Sequence, residues 1–77
     1  MNKQAFEAIL PLKVECVVGE LMNQKKLSLY KALFYLYSSQ LYQLLEREDT
    51  KVWHYSPMML FELLENEKKT GKLRLPE

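Results

Sequence analysis

The 77-residue sequence predicts an all-α fold: a small bundle of three to four helices with room for a minor two-stranded ribbon. Three observations carry this. Apolar residues recur at three- and four-residue spacing along most of the chain, which is the period of one helix face. Serines stand at the starts of the apolar runs, where a hydroxyl can accept from backbone amides that a helix leaves without partners. Glycine occurs only at positions 19 and 71, and 48% of the residues are hydrophobic, a composition suited to packed helices rather than to a disordered chain. The length allows one domain over residues 1–77, with 1–10 and 72–77 as its less defined ends.

The first helix is expected from about Pro11 to Asn23. Phe6, Leu10, Val14, Val17 and Leu21 would share one face, and proline is tolerated best at a first helical position. A kinked helix from Lys3 is the alternative. Asn23 to Lys26 then form a polar connection. Ser28 is placed to cap a second helix over 28–37, an almost unbroken apolar and aromatic run. Leu29, Leu33 and Leu36 lie on one side of it and Tyr30, Phe34 and Tyr37 on another, so this helix either sits centrally or offers its second face to a partner. Ser38 and Ser39 break the run and start a third helix over 39–47, with Leu41, Leu44 and Leu45 inward.

Asp49-Thr50 reads as a turn, and Lys51 to Tyr55, β-branched and aromatic, favour an extended piece. Ser56-Pro57 combines a capping serine with proline at the first helical position, so the last helix is expected over 57–69, with Leu60, Phe61, Leu63 and Leu64 as its apolar face. Glu62 and Glu65 load its outer side, Lys68 and Lys69 suit the negative end of the helix dipole, and Gly71 ends it. Lys72 to Leu75 alternate charge and leucine, so 51–55 and 72–75 are the candidate ribbon. The expected core is Leu10, Val14, Val17, Leu21, Leu29, Leu33, Leu36, Leu41, Leu44, Leu45, Trp53, Leu60, Phe61 and Leu64.

Eleven basic against ten acidic residues leave a net charge of +1, without the positive excess that phosphate neutralisation demands, so nucleic acid is not the expected partner. No apolar run approaches the ~18 residues of a membrane span. Cys16 is the only cysteine and falls in the apolar register of the first helix, where a buried structural thiol is expected. A single thiol and the lack of a signal-peptide pattern lead to a cytoplasmic expectation. His54 with Glu46, Glu48 and Asp49 matches no metal-ligand spacing, two isolated glycines exclude a phosphate-binding loop, and one histidine with one cysteine makes no nucleophilic set. The expectation is therefore a chain without enzymatic activity, cofactor or metal.

The aromatic residues are out of proportion. Nine make 12% of the chain, and five of them, Tyr30, Phe34, Tyr35, Tyr37 and Tyr42, fall within thirteen positions. Core filling is one reading. Tyrosine is also enriched in interfaces because it joins a large apolar ring to a hydroxyl, which makes these five the candidate partner-binding residues.

Three stretches carry a resemblance: Leu27-Ser28-Leu29-Tyr30-Lys31-Ala32-Leu33, then Tyr37-Ser38-Ser39-Gln40-Leu41-Tyr42-Gln43-Leu44-Leu45-Glu46, then Asp49-Thr50-Lys51-Val52-Trp53-His54 with Ser56-Pro57. In them the chain resembles a group of short uncharacterised bacterial proteins often encoded beside ADP-ribosyltransferase-like toxin genes. The resemblance implies a bacterial cytoplasmic accessory or antitoxin-like protein and assigns no functional residues. The expected function is a protein-protein interaction module. The alternative is a helix-turn-helix DNA-binding regulator, with Gln40, Gln43 and Arg47 toward DNA and Glu46 and Glu48 opposing it. Self-association is expected as well: a helix that is apolar nearly all round cannot bury both faces against few short neighbours, and a symmetric homodimer through Tyr30, Phe34 and Tyr37 would cover the remainder.

Overall fold

The computed structural model describes residues 3–76. Four helices appear in chain order: α1 (Lys3–Lys25), α2 (Leu29–Tyr37), α3 (Gln40–Leu45) and α4 (Pro57–Thr70). Two single-turn 3-10 helices, Glu48–Thr50 and Val52–His54, connect α3 to α4. The fold is all-α, with no strand among the described residues.

α1 begins eight residues before Pro11 and runs through it, so the start expected at Pro11 is corrected and residues 3–10 are helix. Proline inside a helix removes one hydrogen bond and costs about 3 kcal/mol. Packing offsets it. Phe6 is buried at the edge of the core and meets Trp53 edge-on, with ring centroids 6.0 Å apart. Burial of one such side chain contributes about 1.5–3 kcal/mol, so Phe6 together with Leu10, which packs partly against the core, offsets the proline.

The serine caps form where expected. Ser28 accepts from the amide of Lys31 at 3.3 Å, Ser39 from Tyr42 at 3.0 Å and Ser56 from Met59 at 3.1 Å. Gly71 ends α4 in the left-handed region with φ 80°. α3 is shorter than the expected 39–47. Thr50 Oγ1 donates to the carbonyls of Leu44 (2.6 Å) and Arg47 (2.8 Å), and Arg47 is already extended, so the last helical carbonyls find a partner outside the helix.

The ribbon between 51–55 and 72–75 does not form. Val52 and Trp53, adjacent in sequence, are both buried, which a strand in a ribbon covered on one face does not achieve and a 3-10 turn does. Lys51 enters that turn at φ 61°, and the Trp53 indole donates to the carbonyl of Glu48 at 2.8 Å. β propensity of the side chains is here overridden by their burial.

The core joins Phe6, Val17, Val18 and Leu21 of α1, Ala32 and Leu36 of α2, Leu41 and Leu45 of α3, and Leu60, Leu63 and Leu64 of α4 to Val52 and Trp53. Of the expected core, Leu10, Val14, Leu33, Leu44 and Phe61 are partly buried against it, and Leu29 is half exposed. α2 turns Ala32 and Leu36 inward, and Leu29, on the same side as Leu36 but two turns earlier, is half exposed as the first residue of the helix. Cys16 is exposed, a correction to its expected burial: Val17 and Val18 take the core side of that turn of α1 and Cys16 points away from it.

Candidate protein-interaction surface

α2 carries the most exposed aromatic side chains of the molecule. Tyr30 is 83% exposed, Phe34 74% and Tyr37 49%. The three follow one another at i, i+4 and i+7, so they form a ridge along one side of a helix whose opposite side holds Ala32 and Leu36.

Beside the ridge lies a groove of about 660 Å³ between α1 and α2. Leu10, Val14, Val18 and Met22 line it from α1, and Leu29, Leu33 and Tyr37 from α2. Tyr42 of α3 closes one end, its ring tilted against that of Tyr37 with centroids 4.7 Å apart. Each ridge residue Tyr30 and Phe34 follows a groove residue by one position, about 100° further round the helix, so groove and ridge are one continuous apolar face. On its other flank, Ala8, Leu12, Cys16 and Gly19 of α1 are exposed too. Among the described residues, Glu15 is the one charged side chain lining the groove.

The five candidate residues thus divide. Tyr30, Phe34 and Tyr37 stand on the ridge, and Tyr42 supports it. Tyr35 does not join them. It faces the other side of α2, where its hydroxyl donates to Glu65 at 3.3 Å and the ammonium groups of Lys68 and Lys25 lie 4.7 and 5.7 Å from its ring centre. Lys25 also pairs with Glu65 at 3.1 Å. Burial, the charge and hydrogen bond of Glu65, and the charge of Glu67 together push the Tyr35 phenol up to about 12, whereas burial first and then Tyr37 and Glu46 raise that of Tyr42. Tyr35 holds α1, α2 and α4 together instead of facing outward.

Two of the residues weighed for chemistry are engaged in local contacts. The His54 ring nitrogen Nδ1 is hydrogen-bonded to the carbonyl of Lys51, and Asp49 pairs with Arg47 at 2.9 Å. Among the described residues, no three His, Cys, Asp or Glu side chains gather closely enough to hold a metal ion, and no helix is long and apolar enough to cross a membrane.

One polar residue escaped the sequence reading. Glu67, 7% exposed on α4, accepts from the amides of Gln40 (2.7 Å) and Leu41 (3.0 Å), one carboxylate oxygen to each. It caps the first turn of α3 from another helix. The signal was faint: a capping serine such as Ser39 serves one amide of the first turn, that of Tyr42, and leaves the amides of Gln40 and Leu41 in need of acceptors from elsewhere. Glu67 thereby fixes α3, and with it Tyr42, against the rest of the bundle.

No family model, no curated protein and no solved structure matches this chain.

Proposed function

We propose that the protein is a non-enzymatic protein-interaction module, an accessory or antitoxin-like component of a bacterial cytoplasm, that binds through the face formed by α1 and α2. One observation carries the reading: the ridge of Tyr30, Phe34 and Tyr37 continues into the apolar groove. The exposed fractions of the three rings amount to about two whole aromatic side chains, roughly 400 Å². Contiguous apolar patches of a few hundred Å² are the size that marks interaction sites on small proteins. The groove's volume suits a small ligand, but such sites orient their ligands with several converging polar groups, and here Glu15 is the sole charged side chain of the lining among the described residues.

The helix-turn-helix alternative draws less support. A recognition helix presents its N-terminal residues to bases and phosphates, and on α3 the buried carboxylate of Glu67 occupies that end. Six residues also make a short reading element.

The experiment is co-purification with the product of the neighbouring gene, using the parent chain and Tyr30→Ala/Phe34→Ala. Both side chains are largely outside the core, so the variant keeps its helical circular dichroism and thermal midpoint. Retention of a partner by the parent and its loss from the variant is the expected result; equal retention by both would place the binding elsewhere and sink the reading.

A further inference from the structure

Resting on the interaction reading above, we infer that the occupant of the α1–α2 face is a second copy of this chain, related by a two-fold axis, with the Tyr30–Phe34 ridge of each copy seated in the groove of the other.

Three features support self-complementarity. The first is shape. A two-fold interface brings one patch against itself, so it needs a projection and a recess side by side on the same surface. α2 supplies both, with Tyr30 and Phe34 on the outside and Leu29 and Leu33, each one position earlier, on the groove wall with Tyr37. The second is charge. Glu15 is the charged residue of the groove lining among the described residues, and Lys31 is exposed on α2 between Tyr30 and Phe34. Seating the ridge of one copy in the groove of the other carries Lys31 toward Glu15 of its mate, and the symmetry makes this pair twice. The third is area. The ridge rings expose roughly 400 Å². With Leu12, Met22 and Leu29, each more than a third exposed, the face approaches the ~800 Å² that each partner brings to a stable interface.

Gly19 points the same way. Glycine within a helix costs about 0.8–1 kcal/mol relative to alanine. Nothing inside the chain requires it, since a Cβ built there meets no atom within 4 Å. Its place on the groove lining, two turns from Pro11, leaves open the approach to α1 that a partner helix would use.

Sedimentation equilibrium at micromolar concentrations tests this, with Glu15→Lys, Lys31→Glu and Phe34→Glu. The parent should show twice the chain mass, and Phe34→Glu should be monomeric while keeping its helical signal. Each charge reversal alone replaces two attractive pairs by two repulsive ones and should weaken association about tenfold or more. Mixing the Glu15→Lys chain with the Lys31→Glu chain restores two opposite-charge pairs in the mixed dimer, so the mixture should recover the parent's association. A parent that stays monomeric, a charge reversal that associates as tightly as the parent, or a mixture that does not recover would each overturn the dimer. If the parent is monomeric yet holds the neighbouring gene product through Tyr30 and Phe34, the face belongs to a different protein and the interaction reading survives. If neither association is seen, both fail.

Discussion

Replacing Glu67 with alanine should be the most damaging single change to a polar side chain in this protein. The carboxylate accepts two short hydrogen bonds from the first turn of α3, and bonds to a charged acceptor contribute about 1.5–3 kcal/mol each. Their loss is not symmetric. Gln40 is exposed, so water can take over its amide, whereas Leu41 is fully buried and its amide is left without an acceptor. A net loss of about 2–4 kcal/mol follows. A chain of 77 residues has a total stability of about 4–12 kcal/mol, so the variant loses a large share of it and its thermal midpoint falls by roughly 10–30 °C. Helix propensity cannot produce this, because alanine is the better helix former. Urea unfolding followed by far-ultraviolet circular dichroism gives the loss directly. Glu67→Gln keeps the shape and one acceptor oxygen but turns an amide group toward the second donor, and should lose about half as much or more. A loss under about 0.5 kcal/mol for Glu67→Ala would refute the inter-helix cap as a determinant of the fold.

Phe6→Ala should cost about 3 kcal/mol by emptying the edge of the core against Trp53, and in hydrogen exchange the amides before Pro11 should lose protection while those of α4 keep theirs. Pro11→Ala should stabilise the monomer by up to about 2–3 kcal/mol in urea, since it restores a hydrogen bond within α1; a destabilised variant would mean that the packing requires proline at this position. Burial and Glu65 raise the Tyr35 phenol from 10.0 to about 12 in the folded chain, so its contribution to stability is fully present below pH 10 and is lost as pH rises toward 12. The urea midpoint of the parent should therefore fall more steeply over that window than that of Tyr35→Phe, and parallel curves would contradict the assignment.

The local signals in the sequence were sufficient for the existence of the four helices and for the serine and glycine caps. Ser28, Ser39, Ser56 and Gly71 act within four residues of their own positions, through hydrogen bonds and dihedral angles that neighbours along the chain decide. The exposed ridge was also legible in part, because Tyr30, Phe34 and Tyr37 repeat with the helix period on a face distinct from Leu36. What the sequence could not place was anything set by contact between distant segments. Phe6 reaches Trp53 and thereby carries α1 through a proline that local rules treat as a start. Val52 and Trp53 look like a strand but are folded into a single turn because both must be buried at once. Tyr35 belongs with the other tyrosines by spacing and leaves them only because Glu65, Lys25 and Lys68 come from other helices. Composition and periodicity thus determined that the chain is helical and where α2, α3 and α4 are capped at their starts. The rotation of α2, the anchoring of the first turn of α3 and the division of the aromatic residues between core, strut and ridge were decided by tertiary packing, since each depends on atoms more than twenty positions away along the chain.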